Sequence, residues 1–250
     1  MSHHYIDFKN VRYSYPNGHE ALKGVSFRVT HGEKVALLGL NGAGKSTLLL
    51  TTNGLLLPSS GEVNVGGIPV TKKTAPGVRR SVGMLFQNAD DQLFMPTVEE
   101  DVAFGPLNMG LPADEVRRRV REAMDRTGVS GLGERTPFQL SGGQKKCVAL
   151  ATVLSMEPDI LVMDEPTAEL DLLARRRVAD VVKGFMHTCI IATHDLDLAR
   201  ELCPRAVLIE DGRVAADGPT TEVAALLEER VESSKYEVQS TKYKVESGMV

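Results

Sequence analysis

Several things are scarce in this chain of 250 residues, and each scarcity excludes something. Positive charge is not in excess: 29 Lys and Arg face 33 Asp and Glu, for a net charge of −4. That balance offers no basic surface for nucleic acid. No stretch approaches the run of roughly 18 apolar residues that a membrane span needs. The three cysteines, Cys147, Cys189 and Cys203, are odd in number and far apart. They read as free thiols in a reducing cytoplasm, not as a disulfide set or a zinc site. The first residues, MSHHYIDFKN, have no basic region followed by an apolar one, so no signal peptide is expected there. His3 and His4 read as a flexible end and not as a metal pair. No internal repeat is visible. The length fits one large domain or two lobes sharing a core.

What remains alternates between strand and helix signals. Residues 5–30 hold two strand-like runs, IDFKNVRYSY and ALKGVSFRV, joined by the turn residues Pro16, Asn17 and Gly18. KVALLG, residues 34–39, predicts a buried strand. A glycine-rich turn and the helical run STLLLTTN follow, with Gly54 as a stop. EVNVGGIPV, residues 62–70, predicts a hairpin. From about 97 to 156 the pattern is helical. Pro112 and Asp114 open one helix, Val116, Val120 and Met124 sit four apart, and Gly128 closes it. Arg117, Arg118, Arg119 and Arg121 read as its solvated face. A second helix follows Gly143 and ends before Pro158. ILVM (160–163), CIIAT (189–193) and AVLIE (206–210) predict further strands.

This alternation predicts an α/β fold with a mainly parallel core sheet. An N-terminal antiparallel β-subdomain and an inserted α-helical subdomain complete the expected architecture. The expected core covers about 1–96 and 157–220, the insert about 97–156. Residues 221–250 are expected to form a helix, beginning TEVAALLEER, and a polar tail with its last ten residues poorly ordered.

GLNGAGKST, residues 39–47, matches G-x-x-x-x-G-K-[ST] between a predicted strand and a predicted helix. Gly42 and Gly44 let the backbone curl so that successive N–H groups face phosphate oxygens. The helix adds its positive end. Lys45 is expected to reach the β- and γ-phosphates, with the Ser46 hydroxyl on magnesium. ILVMDE, residues 160–165, ends an apolar strand on two carboxylates. In an open parallel sheet that end is where ligands bind. Asp164 is placed to hold magnesium and Glu165 to orient or deprotonate a water. An Asp-Glu pair alone is often a solvated strand end, so its weight comes from the phosphate loop.

LSGGQ, residues 140–144, precedes a second helix and makes a second phosphate-binding helix end. One nucleotide needs one γ-phosphate cradle, so this one is best explained by another subunit's nucleotide. Together GLNGAGKST, LSGGQ, DEPTAELD (164–171) and ATHD (192–195) resemble the ATP-binding-cassette family over essentially residues 5–220.

The resemblance implies a P-loop nucleotidase in which two cassettes pack head to tail, with ATP and Mg2+ as cofactors. Gly39, Asn41, Gly42, Ala43, Gly44, Lys45, Ser46 and Thr47 would bind ATP. Tyr15 would stack on adenine, with Tyr13 as the fallback. Ser141, Gly142, Gly143 and Gln144 would meet the other subunit's γ-phosphate. Asp171 would line the dimer seam, and His194 would contact the γ-phosphate in its own chain. Gln87 would reach the magnesium or the attacking water. Glu165, His194, Gln87 and Lys45 form the expected catalytic set; Ser46, Gln87 and Asp164 the expected magnesium set. Two positions depart from the family pattern: Glu169 stands where a small residue is usual, and Cys147 where an arginine is usual.

YSYPNGHEALKGVSF, FQNADDQLFMPTVEEDVAFGPLNMGLP and EDGRVAADGPTTEV are similar to energy-coupling-factor importers. They look most like the ATPases of cobalt or nickel uptake. That likeness implies ATP hydrolysis driving import, on the cytoplasmic face of the cell membrane. The implied partners are a transmembrane coupling protein, a separate substrate-binding membrane component, and a second copy or a related ATPase. Other transporter types, vitamin importers included, would keep every nucleotide residue. A DNA-repair cassette would need a long coiled coil between the phosphate loop and LSGGQ, and residues 48–139 show no heptad pattern. A nucleotide kinase would have no use for LSGGQ. For Asp90 and Asp91, in FQNADDQLF, two readings stand. One is an ordinary solvated turn. The other is the rim of a groove lined by Phe86 and Phe94, where the coupling protein inserts a helix carrying an arginine.

Overall fold

The structure, a computed structural model, describes residues 5–246, with side chains described through residue 233. His3 and His4 lie outside the described residues. Strands β1 (Ile6–Ser14) and β2 (Glu20–Val29) form an antiparallel hairpin closed by the turn at Pro16, Asn17 and Gly18. β3 (Lys34–Leu38) and helix α1 (Lys45–Thr52) come next. The chain then returns to the first sheet with β4 (Ser60–Val65) and β5 (Ile68–Pro69), giving the order β2-β1-β4-β5.

A short helix α2 (Ala75–Ser81) leads into β6 (Val82–Leu85). Between β6 and the next strand stand α3 (Val98–Asn108), α4 (Ala113–Thr127) and α5 (Gly142–Leu154). The chain continues through β7 (Ile160–Asp164), α6 (Leu172–Gly184), β8 (Thr188–Ala192) and α7 (Leu196–Leu202). It ends in β9 (Arg205–Glu210), β10 (Arg213–Pro219) and α8 (Thr220–Glu246). The second sheet has the order β10-β9-β3-β8-β7-β6 and is parallel except for the β9–β10 pair.

A period of two sorts the core strands between two layers. Val35 and Leu37 of β3, with Ile160, Val162 and Ile190, pack toward the first sheet and α1. Ala36 and Leu38, with Leu161, Met163 and Ile191, pack toward the helices. Both faces are buried, which is why these strands read as unbroken apolar runs. Burying one such side chain contributes about 2 kcal/mol, so a one-residue slip of β3 would strip both layers at once.

The chain thus has the expected fold class: an α/β P-loop architecture with an antiparallel N-terminal sheet and helices inserted between two core strands. Two elements carry no clear sequence signal. α2 has Pro76 in its first turn and only seven residues. β10 contains Gly218 and Pro219 and is half-exposed along its length, so it reads as a loop and survives as an edge strand. The arginine face of α4 is not wholly solvated. Arg119 is largely covered, and its guanidinium joins Glu115 at 2.7 Å to Glu157 at 2.9 Å, tying α4 to the turn before β7. At the C-terminus the helix runs to Glu246, and residues 247–250 of the expected polar tail lie outside the described residues. Among the described residues, no helix is long and apolar enough to cross a membrane.

Candidate active site

Four chain segments leave the C-terminal ends of the parallel strands β3, β6, β7 and β8 and meet at one edge of the core sheet. They enclose a cleft of about 410 Å3. Asn41, Gly42, Gly44, Lys45, Ser46 and Thr47 line it from the first segment, Gln87 from the second, Asp164 and Glu165 from the third, and His194 from the fourth. The crevice outside the carboxyl ends of neighbouring parallel strands is where such sheets bind ligands. Gly39 and Ala43 do not face this cleft but shape the loop beneath it. Tyr15 closes the far side, its hydroxyl 2.8 Å from Thr47 Oγ1. Tyr13 packs into the layer between the sheets, so only Tyr15 offers its ring to the cleft. His19 also lines the cleft, its ring roughly parallel to that of Tyr15 at 6.4 Å. A lone histidine in a surface turn gave no sequence signal.

The loop at 39–46 is held by backbone geometry and by its own lysine. Gly44 has φ of 106°, and a Cβ there would lie 2.6 Å from the Ala21 carbonyl oxygen of β2. Lys45 is 6% exposed and donates to the carbonyls of Gly39 at 2.7 Å and Leu40 at 3.2 Å. Burial pushes its ammonium pKa down, while the fields of Glu165 and Asp164 oppose the shift.

Asp164 is 5% exposed and lies beside the Ser46 hydroxyl. Among the described residues its buried Oδ1 has no hydrogen-bond partner. Burial pushes the carboxyl pKa up, and the Ser46 hydroxyl works against that shift. A buried carboxylate oxygen without a donor is costly. Next to a serine hydroxyl it is a partial ligand set for a hard cation. Among the described residues, no group of three or more His, Cys, Asp and Glu could hold a metal. A cation here would take most of its ligands from phosphate and water, as magnesium does.

Glu165 sits at φ 45°, in the left-handed region, with its N–H donating to the Ala192 carbonyl at 2.9 Å. Its Oε2 accepts from the His194 backbone N–H at 3.3 Å and lies 2.9 Å from His194 Nδ1. Such a backbone costs on the order of 1–3 kcal/mol and persists only where neighbours enforce it. Here β7 and β8 enforce it together.

The ABC transporter family model matches residues 22–168, more than half of the sequence. The chain belongs to the ABC transporter ATPase family. It is 57% identical over 223 residues to a putative ABC transporter ATP-binding protein of Geobacter sulfurreducens, covering 89% of this chain and 90% of that one. It is 47% identical over 225 residues to the energy-coupling factor transporter ATP-binding protein EcfA of Methanocaldococcus jannaschii, covering 87% and 80%. The structure is similar to that of CbiO1 from Clostridium perfringens, part of the ABC transporter complex CbiONQ. That match has a TM-score of 0.78 and 39% identity, over 96% of this chain and 98% of that one. It is also similar, at TM-score 0.78 and 30% identity over 86% and 98%, to a dimeric ATP-binding cassette bound to ADP and Pi. The cassette is therefore an ATP-hydrolysing, transport-coupled subunit of the energy-coupling-factor type.

The LSGGQ residues of the cassette stand apart from the cleft: none of Ser141, Gly142, Gly143 and Gln144 lines it. Ser141 caps α5 in a capping box, its Oγ accepting from the Gln144 N–H at 3.3 Å and its N–H donating to Gln144 Oε1 at 3.0 Å. A Cβ on Gly143 would meet Ala174 of α6 at 3.1 Å. Asp171 caps α6 through the Ala174 N–H at 2.8 Å and is exposed, beside the exposed Leu172 and Leu173.

Asp90 and Asp91 part company. Asp90 pairs with Lys145 at 2.7 Å, while Asp91 borders a second cleft with Ser46, Phe86, Gln87, Asp164 and Glu169. The expected groove is divided as well. Phe86 lines that second cleft, but Phe94 turns outward and packs edge-on against Phe104 at 4.9 Å, beside the exposed Leu107. Glu169 is exposed at φ 62°. Cys147 is buried in the helical layer, where burial pushes its thiol pKa up; Cys189 and Cys203 are buried free thiols too.

Proposed function

We propose that this chain powers an energy-coupling-factor importer of a transition-metal ion, cobalt or nickel. The observation that carries the two-subunit part of the reading is the separation just described. One chain assembles a complete phosphate cleft and holds an intact LSGGQ helix end outside it. A homodimer, packed head to tail, closes each cleft with the signature residues of the other copy and with Asp171 along the seam. The likeness to CbiO1 supports the metal substrate.

In this reading Ser46, Gln87 and Asp164 hold magnesium, which when bound neutralises charge on the phosphates. Tyr15 stacks on the adenine. The loop N–H groups and Lys45 fix the phosphates, and His194 contacts the γ-phosphate. Glu165 orients the attacking water and takes its proton as the γ-phosphorus–oxygen bond to ADP breaks. The metal cargo does not bind this chain. The cassette docks peripherally on the cytoplasmic face of a transmembrane coupling protein, beside a membrane component that binds the substrate.

Membrane vesicles carrying the cassette with its membrane components should take up Co2+ or Ni2+ in an ATP-dependent manner. Uptake of a vitamin with no metal uptake would overturn the metal assignment and leave the ATPase reading standing. For docking, Asp91 is the better-placed carboxylate, because Asp90 already holds Lys145. The double variant Asp90→Ala/Asp91→Ala is expected to lose co-purification with the coupling protein while keeping ATP binding. Full assembly would remove the carboxylates from the dock.

A further inference from the structure

Lys146 is 4% exposed, and its ammonium donates to the backbone carbonyls of Phe86, at 3.2 Å, and Gln87. A buried ammonium is costly unless its donors are satisfied. Here they are satisfied by the loop that carries Gln87. Lys146 lies five residues after Ser141 on α5, roughly 7.5 Å along a continuous helix at 1.5 Å per residue. Two further struts join the same helix to the same loop. Lys145 pairs with Asp90 at 2.7 Å. Gln92 donates to the Ala149 carbonyl and to Thr152 Oγ1, both at 2.8 Å, and its Oε1 accepts from the Phe86 N–H at 3.3 Å. The 86–92 segment is therefore strapped to α5 at both ends and in the middle.

We propose that Lys146 is a positioning residue for hydrolysis, locking the Gln87 loop to the LSGGQ helix so that the two shift as one body. Its contacts are with the carbonyls of the two peptide units that flank the Gln87 Cα, so it sets where Gln87 enters the cleft. Gln87 lines this chain's own cleft, whereas the helix end five residues before Lys146 lies outside it. Resting on the two-subunit reading above, the clamp ties a chain's grip on the second subunit's nucleotide to the polar lining of its own site. A coupling of this kind acts on turnover and on cooperativity between sites more than on nucleotide binding.

The test is steady-state ATPase of the full chain with Lys146→Met and Lys146→Arg, alongside nucleotide binding and thermal melting. Methionine keeps length and removes the donors without leaving a charge behind. The expected result for Lys146→Met is a kcat about tenfold lower per folded molecule, with KM for ATP within about twofold and a Hill coefficient nearer to one. Lys146→Arg should restore most of the turnover, since it returns a cation to the two carbonyls. Unchanged kcat and Hill coefficient in folded Lys146→Met would overturn the proposal. A lower melting temperature with unchanged kcat per folded molecule would do the same, because it marks a purely structural lysine. Should Lys146→Met fail to fold, Gln92→Met cuts another strut of the same clamp, and the same outcomes decide. If the unaltered chain hydrolyses no ATP, the site reading fails before this one; if it does and Lys146→Met matches it, only the clamp fails.

Discussion

Glu165→Gln is expected to bind ATP as the unaltered chain does and to lose turnover by about 10²–10⁴-fold, the usual range for a general base. That loss corresponds to about 3–5 kcal/mol of barrier. The geometry makes the substitution a clean one. The backbone at position 165 is held at φ 45° by the Ala192 carbonyl, and that hold does not involve the side chain. An amide has nearly the shape of the carboxylate and still accepts from the His194 N–H. What it cannot do is take a proton from water near neutral pH. Nucleotide binding by fluorescence and phosphate release in the steady state, on the same preparation, separate the two effects. Near-normal phosphate release would remove Glu165 from the catalytic role and leave it as a tether for His194.

Gly44→Ala should act on the opposite half of the reaction, by destroying the nucleotide site. At φ 106° an alanine is strained by on the order of 1–2 kcal/mol. Its Cβ would also lie 2.6 Å from the Ala21 carbonyl and 3.1 Å from Leu22 Cδ2. Both belong to β2, whose backbone is tied into the first sheet, so the loop has to move. Displacing two N–H groups from a phosphate, at about 1.5–3 kcal/mol each, weakens ATP binding by about 10²-fold or more. Gly110→Ala, between α3 and α4 and away from the cleft, is the internal control. Its φ of 74° carries similar strain, but a Cβ there meets nothing within 4 Å. Equilibrium binding of ATP to both variants checks the contrast. If Gly44→Ala binds ATP within a few-fold of the unaltered chain, β2 does not pin the loop.

Both predictions come from motifs that are local in the chain. A glycine-rich turn between a strand and a helix carries its own geometry, and an apolar strand ending in Asp-Glu has one direction to point. Periodicity likewise separated buried strands from helices, because a strand buried on both faces must be apolar throughout. The fold class was legible for that reason. It was less legible where packing overrides local preference. β10 holds its edge position despite Gly218 and Pro219, because β9 supplies the pairing its own residues do not demand. Arg119 looked like one more surface charge until Glu157, 38 positions away, was brought against it.

The amino-acid order alone thus carried the family, the phosphate loop, the strand-end carboxylates and the LSGGQ helix end. Each of the last three is written in residues within one turn or one strand of each other, where sterics and hydrogen bonding act without help from the rest of the chain. Tertiary structure alone decided which tyrosine faces the cleft, which aspartate stays free at its rim, and that Phe86 and Phe94 do not share a groove. It also decided that Lys146, which no motif singles out, reaches a loop 59 residues away to grip Gln87. Those outcomes depend on contacts between distant segments. Such contacts exist only once the two layers of the core sheet have closed and set the helices against it.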